Sequence, residues 1–349
     1  MFIKAITLQH FRSFSKATFS FSPRKTTIIV GPNASGKTNL LEAVYLLATG
    51  KSFRVSIEEE MIKTGQELAR VTGVVETDDE RKTLEVVLTR GEVAGERVGR
   101  KKLSINRLAK RLMDYQGTLR IVLFGPWDMG LITDSPSVRR KFLDSVLVQV
   151  DREYRRALLS YEKGLRARNK LLERIRDEGA ARGQLLFWDR LLIKNGDYLS
   201  SKREEFLEFV NNTPALDSEI FHLEYDKSAI SEARLAQYAD EEVSAATTLV
   251  GPHRDDVVFK TDSRNLAVFG SRGEQRMCVL WLKLAELSFV EKTTGEKPIL
   301  LLDDIFSELD HRHREIVMGV IGKQQTIVTT ADPHTIIGLK KDVERIELG

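Results

Sequence analysis

The sequence predicts an α/β fold interrupted by a mainly helical insertion, and three features predict it. Short alternating strand patterns fill the first third of the chain, two apolar strand runs lie near its end, and between them the hydrophobic period becomes helical. Strands are expected over residues 3–8, 26–30, 71–75 and 83–88, with turn residues between them. From 137 to about 210 apolar residues recur every three or four positions, first as Leu143, Leu147, Val150, Tyr154, Ala157, Tyr161 and Leu165. A second run passes through Trp188, Leu191, Leu192, Leu199, Phe206 and Val210, and Asp177-Glu178-Gly179 is the break, so two long antiparallel helices are expected. After Thr213-Pro214 strand signals return, and the apolar runs 298–302 and 326–330 read as buried parallel strands. Residues 1–115 and 245–349 are therefore expected to form one α/β lobe, and residues 116–244 a helical second lobe packed on it.

Composition narrows the class further. Of 349 residues 42% are hydrophobic and 30% charged, which is the balance of a globular domain and neither a disordered nor a fibrous one. Lys and Arg total 54 against 51 Asp and Glu, a net charge of +3, so nucleic-acid binding would need local clustering of charge. The lone Cys278 excludes an internal disulfide framework and a multi-cysteine zinc site. No window approaches about 20 apolar residues and no signal-peptide pattern opens the chain, so a cytoplasmic location without a membrane partner is expected.

Gly31-Pro32-Asn33-Ala34-Ser35-Gly36-Lys37-Thr38 is a complete phosphate-loop motif, between an apolar strand and a helix carrying Leu40, Leu41, Val44 and Leu47. In such a loop backbone N–H groups and a helix N-terminus surround phosphates, so ATP is the expected ligand. Lys37 is expected to reach the β- and γ-phosphates and the Thr38 hydroxyl to bind Mg²⁺. Near the other end, residues 298–302 deliver Asp303 and Asp304 at the carboxyl end of a buried strand. Asp303 is expected to hold Mg²⁺ and Asp304 to act as the base for the attacking water. Ser307-Glu308-Leu309-Asp310 follows, in the form of a loop that crosses a dimer interface.

Ser271-Arg272-Gly273-Glu274-Gln275-Arg276, ahead of an apolar helix, resembles the signature of ABC-type ATPases. There Ser271 and Gly273 would clamp the γ-phosphate held by the opposite subunit, although serine with glutamate three residues on is also an ordinary capping box. Lys37 and Ser271 stand 234 positions apart, more than transporter subunits usually allow. About 70 helical residues give arms of only about 50 Å, too short for a chromosome-structuring SMC protein.

Five blocks together resemble the RecF family. They are Leu8-Gln9-His10-Phe11-Arg12-Ser13-Phe14, GPNASGKTNLLEA at 31–43, PWDMGLITDSPSVRRKFLD at 126–144, LVGPHRDD at 249–256 and LLLDDIFSELD at 300–310. Three positions depart from the family pattern: Trp127 stands for an acid with Asp128 adjacent, Asp134 for a glycine, and Glu274 for a glutamine. The resemblance implies an ABC/SMC-type P-loop ATPase head with an inserted helical lobe, in which Arg12 joins the nucleotide-binding residues and 126–144 is the water- and Mg²⁺-sensing loop between lobes. It also implies a weak, DNA-stimulated ATPase in DNA replication, repair and the SOS response. In that reading ATP closes a homodimer on duplex DNA at single-strand gaps, RecO and RecR help it to load RecA, and hydrolysis releases it. A transporter-type ABC subunit and an SMC-like chromosome-structuring head are the alternatives.

The densest basic cluster is Arg81, Lys82, Arg90, Arg97, Arg100, Lys101, Lys102, Arg107, Lys110 and Arg111, without aromatic residues among them. That pattern favours contact with a duplex backbone over stacking on single-strand bases. His253 and Arg254, in a Gly-Pro-His-Arg turn, are expected to serve the nucleotide or the boundary between lobes, with a purely structural turn as the alternative.

Overall fold

Backbone contacts divide the chain into two units, residues 1–128 with 290–349 and residues 129–289. The computed structural model describes residues 1–23, 26–77, 80–217, 219–307, 309–332 and 343–349. The first unit opens with β1 (Phe2–Phe11), β2 (Phe14–Ser20), β3 (Thr26–Val30), α1 (Lys37–Thr49), β4 (Leu68–Glu76) and β5 (Arg81–Thr89). β6 (Lys101–Ile105), β7 (Leu108–Lys110) and β8 (Ile121–Phe124) follow. The second unit carries α2 (Pro136–Val150), α3 (Arg152–Glu178), α4 (Leu185–Asn211), β9 (Phe221–Asp226), β10 (Asp256–Thr261), α5 (Leu266–Phe269) and most of α6 (Arg272–Thr294). The chain then completes the first unit with β11 (Ile299–Asp303), α7 (His311–Val320), β12 (Thr326–Thr330) and β13 (Val343–Glu347).

Among the described residues two large sheets build the first unit, beside a two-stranded ribbon at Glu92–Val93 and Glu96–Arg97. One is antiparallel in the order β2-β1-β4-β5-β6-β7, and the other is parallel in the order β8-β11-β12-β3-β13. All five residues of β3, of β11 and of β12 are buried, as strands of a covered parallel sheet should be. The sequence suggests that α1 is apolar on one face. Ten of its thirteen residues are in fact buried, because Leu40, Leu41, Val44 and Leu47 share one core with Ile6 and Leu8 of β1, Val86 of β5, Ile29 of β3 and Leu301 of β11. Among the described residues no helix is long and apolar enough to cross a membrane.

In the second unit the expected helical run is broken at Asp151, whose carboxylate caps α3 by accepting from the Glu153 and Tyr154 N–H groups at 2.8 and 3.0 Å. α3 and α4 run antiparallel, since Arg168 meets Asp189 at 2.8 Å while Tyr198, further along α4, donates to Asp151 at the start of α3, also at 2.8 Å. The boundaries fall elsewhere than the sequence suggests, at 128 and 289 instead of 115 and 245. The reason is packing within the second unit: Asn211 of α4 exchanges hydrogen bonds with Leu223 of β9 at 2.8 and 2.9 Å, and Phe206 stacks edge-on against Phe289 of α6 at 4.8 Å. The turn before β10 and most of α6 therefore belong with the helices.

Two of the sequence blocks meet inside this unit as ion pairs. Arg139 forms a two-pronged pair with Asp256 at 2.6 and 3.1 Å. Arg203, almost wholly buried, donates to Asp144 at 2.8 Å, to Asp255 at 3.0 Å and to the Pro252 carbonyl at 2.7 Å. Asp255 also accepts from Tyr225 and from the Ser228 N–H. Buried charges survive only when satisfied in this way, and removing one partner typically costs about 3–5 kcal/mol.

The contacts of His253 and Arg254 among the described residues are those of the structural turn. The His253 Nε2 faces the Thr248 carbonyl at 3.0 Å, an acceptor only, so Nε2 carries the proton and Nδ1 accepts from the Tyr161 hydroxyl at 2.8 Å. Arg254 also donates to the Thr248 carbonyl, at 3.1 Å. Burial pushes the His253 pKa down to about 4. The unfolded chain then binds the proton at higher pH than the fold does, so stability is full above about pH 6.5 and falls as pH drops toward 4, by about 3 kcal/mol from this group. His253→Gln, which cannot charge, should flatten urea-measured stability over that pH window, whereas an unchanged slope would assign the loss to other groups.

Candidate nucleotide site

The phosphate loop leaves the end of β3 and turns into α1 through two left-handed residues, Ala34 at φ 66° and Gly36 at φ 101°. A Cβ on Gly31 would stand 2.2 Å from the Leu348 carbonyl oxygen, so the C-terminal segment, whose Leu348 N–H donates to the Val30 carbonyl at 2.8 Å, leaves room only for glycine. Lys37 is buried and its Nζ donates to the Gly31 and Pro32 carbonyls at 2.7 and 2.9 Å. The Ser35 hydroxyl is buried in the same loop without a hydrogen-bond partner. An orphaned hydroxyl costs free energy unless a ligand satisfies it, and a phosphate oxygen is an acceptor of the right kind.

Thr38 and Asp303, 265 positions apart, meet here: the Thr38 hydroxyl lies 2.9 and 3.1 Å from the two Asp303 oxygens. Thr329 of β12 donates to Asp303 from the other side at 2.5 Å. Burial raises the Asp303 pKa, against the lowering effect of the Thr329 and Thr38 hydrogen bonds, and neighbouring Asp304 raises it further. A divalent cation would offset that penalty. Among the described residues no group of three or more His, Cys, Asp or Glu could hold a metal by itself. One carboxylate and one hydroxyl suit Mg²⁺, which commonly takes its remaining ligands from water and phosphates. The residues fit Mg²⁺ with a nucleoside triphosphate.

Asp304 occupies the left-handed region at φ 50°, held by its N–H donating to the Thr329 carbonyl and hydroxyl, each at 3.1 Å. Such backbone strain is kept where the surroundings impose it and often marks a functional position. The Asp304 carboxylate accepts no hydrogen bond among the described residues, which leaves its oxygens available to a water. Glu308 of the expected interface loop lies outside the described residues, while Asp310 caps α7 by accepting from the His313 N–H at 2.9 Å.

Arg12 has a more structural setting than the sequence suggests. Its Nε and Nη2 form a two-pronged pair with the fully buried Glu42 of α1 at 2.8 and 2.7 Å, and Nη1 donates to the Glu60 carbonyl at 2.8 Å. Sequence reasoning missed Arg54, which donates to Asn39 at 2.9 Å, lies 3.6 Å from Glu42 and draws the Asp303 pKa down. No period or motif marks it; only Glu42, an acid amid the apolar run of α1, could have signalled partners nearby. Trp127 lies against Phe53 with ring centroids 4.6 Å apart, and adjacent Asp128 accepts from the Gly125 N–H at 2.8 Å. Asp134 ends the short helix Gly130–Thr133, where its N–H donates to the Gly130 carbonyl at 2.9 Å.

In the second unit, the signature residues begin α6 as a reciprocal capping box. The Glu274 N–H donates to the Ser271 hydroxyl at 3.2 Å, and the Ser271 N–H donates to the Glu274 carboxylate at 2.7 Å. Ser271, Arg272 and Gly273 are exposed, and a Cβ on Gly273 would meet only the Ser271 hydroxyl, at 3.9 Å.

Comparison with known proteins shows the family. The RecF/RecN/SMC N terminal domain family matches residues 2–345. A protein named DNA replication and repair protein RecF from Thermomicrobium roseum is 37% identical over 96% of this chain and 95% of its own length. One from Agathobacter rectalis is 34% identical over 99% of this chain and 96% of its own length. The chain belongs to the RecF family. A solved structure of the recombination mediator RecF with ATP superposes with a TM-score of 0.89 at 31% identity, covering 99% of this chain and 95% of that one. An SMC head bound to a ScpA domain, at 17% identity, has a TM-score of 0.53 over 96% of this chain and 91% of that one, and shows the shared ATPase fold alone. This RecF-family chain therefore has the ABC/SMC-type head that its motifs suggest.

Two substitutions separate binding from hydrolysis. Saturating MgATP should stabilise the parent chain by about 2.7 kcal/mol at a hundred times its Kd. Lys37→Ala should lose that thermal shift. Asp304→Asn should keep it and lose phosphate release, and normal turnover by Asp304→Asn would remove the base assignment.

Proposed function

We propose that this chain is a RecF-type recombination mediator: a cytoplasmic ATP-dependent DNA-binding switch whose homodimer grips duplex DNA at single-strand gaps, promotes RecA loading with RecO and RecR, and lets go on hydrolysis. The observation that carries the reading is the Thr38–Asp303 contact beside the orphaned Ser35 hydroxyl, a built phosphate and cation site in the first unit. The relative solved with ATP supports it.

In this reading Lys37 exchanges its loop carbonyls for the β- and γ-phosphates, and Ser35 donates to a phosphate oxygen. Thr38 and Asp303 would hold Mg²⁺, which when bound neutralises phosphate charge. Asp304 orients a water and takes its proton on a carboxylate oxygen. Ser271 and the α6 N-terminus face the γ-phosphate held by a second copy, adding N–H donors to the charge that develops there.

The basic cluster is sorted by its ion pairs. Arg100 and Lys101 are matched to Glu59 and Glu58, and Lys82 to Glu80, so those charges are largely neutralised. Lys102, Arg107, Lys110 and Arg111 are exposed and form no ion pair among the described residues. They lie on β6, on the edge strand β7 and beside it. Charge on an edge strand also deters sheet-to-sheet pairing, and salt dependence separates that role from DNA contact.

Sedimentation with and without MgATP tests the dimer. Ser271→Arg should bind ATP yet stay monomeric, whereas a self-contained site would lose only about 1 kcal/mol of helix capping and keep its oligomeric state. Lys102, Lys110 and Arg111 changed together to Glu should weaken duplex binding and flatten its dependence on salt, by up to about three units in the logarithmic slope. Unchanged affinity across a salt titration would leave these residues as a charged, solvated sheet edge.

A further inference from the structure

Two large apolar side chains stand in water at the end of α5, just before the signature. Val268 is 68% exposed and Phe269 67%. Single exposed apolar residues are ordinary on protein surfaces. This pair differs in being adjacent and in resting on a rigid frame. Asn265 caps α5 by accepting from the Ala267 N–H at 2.9 Å. Gln275, buried in the first turn of α6, donates to the Leu266 carbonyl at 2.8 Å, and Leu266 is fully buried. Gly270 between them leaves no space for a side chain, since a Cβ there would stand 2.6 Å from the Leu266 carbonyl oxygen. The backbone that carries Val268 and Phe269 is therefore held at both ends. Phe269 lies two residues before Ser271, so their Cα atoms are within about 7 Å of each other.

We propose that Val268 and Phe269 form an apolar shoulder of the composite nucleotide site, covered by a second copy of this chain along the exposed rim of its phosphate loop, residues 32–34. The inference rests on the dimer reading given above and adds to it an attraction that does not involve the nucleotide. Pro32 and Ala34 are exposed and put apolar surface beside the phosphate-binding backbone. When Ser271 reaches phosphates held in that loop, the short chain between it and Phe269 brings the aromatic ring over the rim. The contact is apolar, so it adds association free energy in proportion to the area it buries and is little weakened by salt. Leu186 and Phe187, another adjacent exposed pair, adjoin no nucleotide motif.

Sedimentation of the full chain with MgATP over a range of protein concentrations tests the shoulder, using Val268→Ser/Phe269→Ser and, separately, Phe269→Leu. The double variant should bind ATP as the parent does when both are dilute and monomeric, and should unfold at the same temperature. Its half-dimer concentration should rise by about tenfold or more, with the gap surviving high salt. Phe269→Leu keeps most of the apolar area and should dimerise nearly as the parent does. A double variant that dimerises like the parent overturns the inference, as does a Phe269→Leu protein as weak as the double variant. Ser271→Arg in the same series distinguishes the failures: if it also dimerises, or if the parent does not, the dimer reading itself has failed.

Discussion

α1 is buried on nearly every side, and such a helix is stable only where two surfaces cover it. The antiparallel and parallel sheets of the first unit are those surfaces, and the site follows from their arrangement. β3 sits between β12 and β13, so the loop leaving its carboxyl end must enter α1 at the edge of the core. β11 ends one strand further along, with β12 between, and Thr329 of β12 is the residue that bridges to Asp303. Ligands of open parallel sheets bind at the carboxyl ends of the strands. Here the packing of one helix brings a hydroxyl at its first turn to a carboxylate 265 positions away.

The second unit joins buried ion pairs to its apolar packing. Arg203 and Arg168 are each about 2% exposed, and each is matched to two acids: Asp144 and Asp255 for the first, Asp189 and Glu242 for the second. Hydrophobic residues of similar volume can be as stable as buried ion pairs, so stability alone does not require them. Their geometry is directional, and it fixes the register of α2, α4 and the turn before β10. The capped, exposed start of α6 belongs to this same unit.

Local patterns were legible in the sequence and long-range pairings were not. The phosphate loop, the strand delivering Asp303 and Asp304, and the capping box of Ser271 and Glu274 each lie within about a dozen residues, where period and spacing carry the signal. The helix break at Asp151 was hidden because apolar spacing continues across it. β13 was missed because its pattern, partly exposed at the sheet edge beside β3, is short and charged. Arg54 and Glu42 were missed for a different reason: a buried ion pair has no periodicity, and its partners are identified only by the fold. The blocks holding Arg139, Asp144, Asp255 and Asp256 were visible as blocks, but their role as scaffold became clear only from their contacts.

In the dimer proposed above each nucleotide site is completed by a second copy, the phosphate loop coming from one chain and the signature from the other. Mixing two inactive variants tests it most directly, with ATP turnover as the readout. A dimer of Ser271→Arg with Lys37→Ala has one site lacking both elements and one site with both intact. Little turnover is expected from either variant alone, with recovery on mixing, greatest near equal amounts. Turnover of the mixture that equals the weighted mean of its components would contradict a shared site and place the chemistry within a single chain.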